Sequence, residues 1–138
     1  MNEHPLAVWH RLVDTGDRAG LDGLLADDVV FHSPVVHMPQ RGKALTALYL
    51  SAAFDVFFNP TLRYVREIVG PSDAMLEFDT TIDGVAVNGV DLLRWSGEGR
   101  IVDFKVMVRP LKAVNLIHQK MADMLGAAQK PQAGAAAS

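Results

Sequence analysis

The feature that most constrains this chain is a change in the spacing of its apolar residues. From Pro5 to Phe58 most of them recur at the three- and four-residue intervals of amphipathic helices. From Leu62 to Arg109 they alternate with polar residues, which is the period of a half-buried strand. After Pro110 the helical spacing returns. Helices followed by a block of strands predict an α+β fold, in which helices cover one face of an antiparallel sheet.

Two helices are predicted at the start of the chain and a third just before the sheet. Pro5 suits the first turn of a helix, because its missing N–H would be unpaired there in any case, and Gly16 can end that helix. Asp17 can cap a short second helix. The third is predicted over Lys43 to Phe58, where apolar residues lie on nearly every side. A helix of that kind is buried against more than one neighbour.

The hairpin at Asp83-Gly84 fixes how two of the strands pair. Asp-Gly is a strong signal for a two-residue turn, and such a turn sets the register of both strands. The pairs that follow on one face are Ile82 with Val85, Thr80 with Val87, Phe78 with Gly89, and Leu76 with Asp91. Apart from Thr80 and Asp91 this face is apolar, while Asp79 and Asn88 fall together on the polar face. Asp91 is therefore predicted to be a carboxylate that points with the apolar residues.

The rest of the chain completes one domain. Val29 to Phe31 look like a short strand, Ile101 to Arg109 form the last strand, and an amphipathic helix begins at Leu111. The segment 126–138 lacks bulky apolar residues and is predicted to be a disordered tail. We therefore expect a single domain over 1–125, since a chain of 138 residues buries a sizeable core.

The composition excludes several classes of function. There is no cysteine, which excludes disulfides, thiol nucleophiles and thiolate metal sites. A net charge of −3 with scattered Lys and Arg residues offers no basic patch for nucleic acid or an anionic membrane. No stretch reaches the roughly 18 apolar residues of a membrane span, and the start of the chain has no signal-peptide core. A cytoplasmic location is expected.

The order of the elements carries a family resemblance. With "GD" at 16–17, then "LLADDVVFHSPV", "RGKALTALYL" and "DLLRWSGEGRIVDFKVMVRP", the chain resembles the nuclear transport factor 2-like superfamily in its SnoaL-like branch over about residues 5 to 125. The resemblance implies a cone: a curved antiparallel sheet wraps around the N-terminal helices, with a pocket at the wide end. It also implies a homodimer through the outer sheet face.

That superfamily does not decide the function, because it includes ketosteroid isomerases, polyketide cyclases, limonene epoxide hydrolases, dehydratases and non-catalytic modules. The resemblance to the isomerases is carried by Asp91, since their oxyanion-hole aspartate lies on the equivalent strand in a similar "D-x-x-R" setting. A carboxyl in an apolar pocket has a raised pKa. In its neutral form it can donate a hydrogen bond to a developing oxyanion or act as a general acid.

The other catalytic residues of these relatives are not matched. The isomerase base is an aspartate before a proline, where this chain has Ser33, and the isomerase tyrosine of the first helix aligns with Trp9. An indole N–H donates but is not an acid. The epoxide hydrolase pattern needs Arg-x-Asp and a second aspartate, where this chain offers Glu77-Phe78-Asp79 and Val106. Steroid isomerase and epoxide hydrolase chemistry are therefore both disfavoured.

The candidate bases are two histidines. Histidine is the natural acid or base near neutral pH, and His32 and His37 flank Pro34 in the loop that should reach the pocket mouth. If Phe31 and Ser33 face the pocket, His32 points away from it, whereas His37 is free to point either way. An ordinary surface position is an alternative for both. No metal site is predicted, because neither H-x-x-x-H nor H-E-x-x-H occurs.

Two hypotheses follow. In the first, an apolar or polycyclic small molecule is the substrate of a cofactor-free isomerase, cyclase or dehydratase, with Asp91 as buried acid or oxyanion donor and His37 or His32 as base. The residues expected to contact the substrate are Trp9, Phe31, Ser33, Tyr49, Leu93 and Val106, and Tyr64 is a further possible donor. In the second, the chain is a non-catalytic binding or dimerisation module, and Asp91 is satisfied by Trp9, a histidine or a backbone N–H. A carboxylate open to a cavity favours the first, and a sealed one the second.

Overall fold

The computed structural model describes residues 3–137, with side chains described over 3–126. The helices are α1 (Pro5–Thr15), α2 (Leu21–Leu24), α3 (Lys43–Val56) and α4 (Leu111–Ala137). The strands are β1 (Leu25–His32), β2 (Gln40–Arg41), β3 (Arg63–Val69), β4 (Asp73–Ile82), β5 (Val85–Trp95) and β6 (Ile101–Arg109). The α+β class is confirmed. The backbone of α4 continues through most of the segment 126–138, and the disorder predicted for that segment stays a prediction.

The six strands form one curved, unclosed sheet in the order β2-β1-β6-β5-β4-β3. Strands β3 to β6 form the predicted antiparallel meander. Strand β1 adds to it in parallel with β6, and the two-residue β2 pairs back onto β1. Irregular register interrupts the pairing at three places, one of them between Tyr64 and Arg66 of β3. Such bulges bend a strand and increase its twist, which is how a sheet curves around helices.

Helix α1 begins and ends at the residues that its sequence indicates. The His4 ring nitrogen Nδ1 accepts a hydrogen bond from the Leu6 N–H, and Gly16 ends the helix at φ 69°, in the left-handed region that favours glycine. The predicted cap of α2 is displaced. Asp17 Oδ1 accepts from the Gly20 N–H at 3.3 Å, so Asp17 closes the turn before α2 while Gly20 occupies the cap position.

The predicted hairpin register is confirmed at each pair, including Leu76 with Asp91. Asp83 and Gly84 both have positive φ, at 50° and 78°, as the favoured two-residue hairpin turn requires. Asp79 lies beside Asn88 on the outer face and accepts a hydrogen bond from its amide at 2.8 Å.

The core lies between the inner sheet face and the helices. Trp9 of α1 is fully buried at its centre, and its ring contacts those of Phe54, Phe58 and Phe104 at centroid distances of 5.9, 5.6 and 4.9 Å. Helix α3 buries residues on several sides, as its apolar sequence predicts. Burial of these aromatic side chains, together with the aliphatic residues around them, stabilises the fold.

Candidate functional site

Asp91 lies in the middle of β5 on the inner face of the sheet, and it has no exposed surface. Its neighbours across the sheet are Leu76 on β4 and Val106 on β6. One carboxyl oxygen, Oδ2, accepts a hydrogen bond from the Tyr64 hydroxyl at 2.8 Å. The other, Oδ1, has no hydrogen-bond partner among the described residues. Thr80, the second polar residue predicted on this face, differs because its hydroxyl donates to the Phe57 carbonyl at 3.1 Å.

The hydrogen bond to Asp91 is the end of a short chain of donors. The Trp9 indole Nε1–H donates to the Tyr64 oxygen at 3.0 Å, and the Tyr64 hydroxyl then donates to Asp91. Trp9 therefore acts on Asp91 through Tyr64, rather than directly. Because an indole nitrogen donates only, Trp9 is the donor in the first of these hydrogen bonds, and the Tyr64 hydroxyl proton is left to donate to Asp91.

Burial dominates the electrostatics of this group. Removal from water raises the pKa of the Asp91 carboxyl from 3.8 to about 7, against a smaller lowering by the Tyr64 hydrogen bond. Burial, followed by the nearby Asp91 charge, raises the pKa of the Tyr64 hydroxyl well above its ordinary value of 10.0. Below neutral pH the site therefore holds a neutral carboxylic acid beside a neutral phenol, both of which are hydrogen-bond donors.

A hydrogen-bonded pair at the surface, His10 with Glu67, lies next to Tyr64. His10 of α1 packs edge-on against the Tyr64 ring at a centroid distance of 4.9 Å. Its Nε2 lies 2.9 Å from a carboxylate oxygen of Glu67 on β3, and both side chains are partly exposed. This contact joins α1 to the edge strand β3 beside Tyr64.

A second element of the site is an open cavity of about 500 Å³ where β1 ends. His32, Ser33, His37 and Val106, all predicted site residues, contribute to its wall. Its remaining lining is Pro34, Val36, Pro39, Lys105, Met107 and Val108. Val106 connects the two elements, because it is the direct cross-strand neighbour of Asp91.

The two histidines differ in their surroundings. His32 Nε2 lies 2.9 Å from Asp103 Oδ1, and both side chains are partly exposed. Phe31, one residue earlier, is buried in the core, so His32 points to the outer sheet face, as alternation along the strand predicts. His37 has no hydrogen-bond or ion-pair partner within residues 3–126.

The remaining predicted contact residues lie in the core or close to it. Trp9, Phe31 and Leu93 are buried, and Tyr49 packs its ring against Phe31 at 5.7 Å. The Ser33 hydroxyl accepts a hydrogen bond from the Val35 N–H at 3.2 Å, which stabilises the turn after β1. The structure thus separates the predicted residues into a group in or near the core and a group around the cavity.

Sequence reasoning missed Tyr64 as the partner of Asp91. Tyr64 and Asp91 are 27 positions apart, and β4 lies between their strands. The available signal was a single phenol near the start of β3, but the pairing of β3 with β4 is not fixed by a two-residue turn. The sequence suggests Tyr64 as a donor to a ligand, whereas in the structure its hydroxyl donates to Asp91.

The described part of the chain offers neither a metal cluster nor a membrane-spanning helix. No three or more His, Asp or Glu side chains there are grouped so as to hold a metal ion. No helix in the same part is long and apolar enough to cross a membrane.

The sequence and the structure both have identifiable relatives. Residues 7–104 match the SnoaL-like domain family. A steroid delta-isomerase from Pseudomonas aeruginosa is 32% identical with a TM-score of 0.79, covering 97% of this chain and 93% of that one. An uncharacterised bacterial protein with a cystatin-like fold from Silicibacter pomeroyi is 31% identical with a TM-score of 0.77, covering 89% and 83%.

More distant structures share the fold alone. A protein assigned as a SnoaL-like polyketide cyclase from Jannaschia sp. CCS1 is 13% identical with a TM-score of 0.64, covering 79% of this chain and 88% of that one. No curated protein matches the sequence.

Proposed function

This chain belongs to the SnoaL-like domain family, and from that premise we propose that it binds an apolar or polycyclic small molecule and acts on it as a cofactor-free isomerase, cyclase or dehydratase. The observation that carries the proposal is the Asp91 carboxyl, which is fully buried with one oxygen held by Tyr64 and the other without a partner among the described residues. Buried polar atoms are normally paired, so an unpaired carboxyl oxygen is a feature that a ligand can complete.

In this proposal Asp91 reacts in its neutral form. The Tyr64 hydroxyl donates to Oδ2, which leaves Oδ1 as the oxygen from which a protonated carboxyl donates. This hydrogen bond stabilises a ligand carbonyl most when negative charge develops on the carbonyl oxygen, because the surroundings are apolar and exclude water. A pKa of about 7 keeps the acid protonated below neutral pH and still able to release its proton.

The proposed base is His37. His32 is held by Asp103 on the outer sheet face, whereas His37 lines the cavity and has no partner among the described residues. The cavity reaches Val106, next to Asp91. A substrate that entered there and displaced Val106 would lie between the donor and the histidine. The steroid delta-isomerase among the relatives supports this class of reaction, although Ser33 stands where a base aspartate is expected from the resemblance.

The alternative is a non-catalytic ligand-binding or dimerisation module of the same fold. It is favoured by the closure of Asp91, which has no exposed surface and is bonded to a tyrosine that Trp9 holds in turn. In that case the hydrogen bonds from Trp9 to Tyr64 and from Tyr64 to Asp91 serve only to stabilise the core. The two proposals differ in whether a ligand reaches Oδ1.

We also propose that two copies pair through the outer sheet face, in the cytoplasm. Ile68 is 59% exposed on that face, beside the half-buried Met75 and Leu92 on the neighbouring strands. Apolar side chains grouped on one exposed face are typical of an interaction surface.

The experiment is a titration of the isotope-labelled protein with a panel of polycyclic ketones and phenols, followed by NMR of the Asp91 side-chain carbon. We expect at least one compound to shift this signal in a saturable way, and we expect Asp91→Asn to lose turnover while it stays folded. Binding without a shift at Asp91, with equal affinity in Asp91→Asn, would support the module. A panel that leaves the Asp91 signal unmoved would refute the catalytic proposal.

A further inference from the structure

We propose that the cavity at the end of β1 binds the anionic group of an apolar organic acid, such as an aromatic carboxylate or sulfonate, and that Lys105 is the residue that binds it. The inference rests on the proposed function, because it names the class of small molecule that the protein takes. It depends on residues around the cavity, not on the chemistry of Asp91.

Lys105 is a half-buried cation with no ion-pair partner in the described part of the chain, and it also borders a second cavity to which Asp73 and Asp103 contribute. Within residues 3–126 it makes no hydrogen bond or ion pair, whereas Lys43 lies 3.3 Å from Asp27 and Lys120 lies 2.7 Å from Asp83. A lysine that is partly removed from water is stabilised by a nearby negative charge, because the solvent screens their attraction less than at a fully exposed site.

The carboxylate that could neutralise Lys105 is already bound elsewhere. Asp103 lies two positions earlier on the same face of β6, and its Oδ1 is 2.9 Å from His32 Nε2. His32 is also the cross-strand neighbour of Lys105. Asp103 is therefore hydrogen-bonded to His32 rather than to Lys105, and the ammonium group of Lys105 is left for a ligand.

The shape of the cavity follows from the chain around it. Strand β1 pairs with β6 only as far as His32 and Lys105, because Pro34 cannot donate to the ladder. The following loop, 33–39, leaves the edge of β6 uncovered beyond Lys105 and encloses the cavity against it. A volume of about 500 Å³ suits a small organic molecule.

The wall of the cavity combines one charge with an apolar surface. The apolar part comes from β6 and the loop, and consists of Val36, Val106, Met107 and Val108, while Lys105 supplies the cation. His37 adds a ring that can donate a hydrogen bond to the same anion. Among the described residues, no Asp or Glu contributes to this wall. A ligand with an aromatic body and one anionic group matches both parts, whereas a neutral ligand matches only the apolar part.

The test uses two fluorescent probes with the same aromatic rings, 1-anilinonaphthalene-8-sulfonate and N-phenyl-1-naphthylamine, which lacks the sulfonate. We expect the sulfonate to bind the native protein and Lys105→Met to weaken it at least about fivefold, while the neutral probe changes by less than about twofold. Lys105→Arg keeps the charge and should keep the affinity. Lys112→Met, an exposed lysine outside the cavity, is the matched control and should bind both probes normally.

The outcomes distinguish this inference from the proposed function. The proposed function fails if no ligand moves the Asp91 NMR signal, whereas this inference fails if sulfonate affinity does not depend on Lys105, so the two failures are distinguishable. Equal sulfonate affinity in Lys105→Met and the native protein would overturn the inference. So would a Lys105→Met variant that changes oligomeric state but not probe affinity, since Lys105 would then belong to an interface between copies. Circular dichroism of each variant confirms that the probes report on the folded protein.

Discussion

The Tyr64 hydroxyl donates to Asp91 Oδ2 at 2.8 Å, and the second oxygen of that carboxyl has no partner within the described residues. Tyr64 in turn accepts from Trp9. The contact links the edge strand β3 to the centre of the sheet and fixes which oxygen of Asp91 remains for a ligand. The contact affects the pKa of Asp91, the stability of the core and the proposed chemistry. Each of these three has its own test.

Asp91 should make the native protein less stable as the pH rises from about 4 to about 7. Its pKa is about 7 in the folded state, against 3.8 as the ordinary value, so the folded protein holds a proton that the unfolded chain releases. The free energy of unfolding is therefore highest below about pH 4 for this group and falls towards pH 7, by up to about 1.4 kcal/mol per pH unit. Urea unfolding of the native protein and Asp91→Asn across this range measures the difference.

The Asp91→Asn variant should lose that dependence and be the more stable protein above pH 7, because the amide that replaces the carboxyl carries no charge to be buried. Asp28→Asn is the control, since Asp28 is exposed. The difference in the free energy of unfolding between this variant and the native protein should not change with pH. If the free energy of unfolding of the native protein does not fall relative to that of Asp91→Asn as the pH rises, Asp91 ionises normally.

Replacing Tyr64 with Phe should destabilise the protein by about 1–3 kcal/mol, because the Trp9 N–H and Asp91 Oδ2 both lose their buried partner. Chemical denaturation at pH 5 measures it. Tyr49→Phe is the matched control, because the Tyr49 hydroxyl makes no hydrogen bond within the described residues. Equal stability of the two variants would mean that the Tyr64 hydroxyl is not paired in solution.

Gly89 should not tolerate a side chain. A Cβ at this position would lie 2.6 Å from Phe78 Cζ and 2.7 Å from the Met107 carbonyl oxygen, which is backbone. We expect Gly89→Ala to cost about 1–3 kcal/mol through overpacking, measured as a shift of the thermal unfolding midpoint. Gly97→Ala, where no described atom lies within 4 Å of the added Cβ, should be close to neutral. A neutral Gly89→Ala would mean that β5 and Phe78 are not packed this closely.

Charge on the outer sheet face should separate the proposed dimer. Ile68 is 59% exposed, so Ile68→Glu leaves the monomer intact while it places a carboxylate in the proposed interface. Light scattering after size exclusion should give a dimer for the native protein and a monomer for the variant. Leu111→Glu, also at an exposed apolar residue but on α4, should remain a dimer. A monomeric native protein would contradict the proposal.

The elements that could be predicted are those whose signals are local. Alternating apolar residues marked β3 to β6, and the turn at Asp83-Gly84 fixed the β4–β5 register and hence the burial of Asp91. The parallel pairing of β1 with β6 and the two-residue β2 could not be predicted. They depend on contacts between segments far apart in the chain or on a strand too short to show a period.

The site was predicted only in part for the same reason. The position of Asp91 followed from strand alternation, but its bond to Tyr64 depends on the pairing of β3 with β4 and on the bulge after Tyr64. His32 faces outwards as alternation predicts, while His37 follows no regular element and had no predictable direction. Long-range packing, rather than local sequence, brought Trp9 and Tyr64 together.

The most direct test of the buried-acid proposal is the titration of the Asp91 side-chain carboxyl by carbon-13 NMR. We expect a midpoint near pH 7, because burial outweighs the Tyr64 hydrogen bond and raises the pKa to about 7. That value would leave the carboxyl able to donate a hydrogen bond below neutral pH. A midpoint near the ordinary 3.8 would contradict the proposal, since Asp91 would then be charged at neutral pH and could not serve as the buried acid.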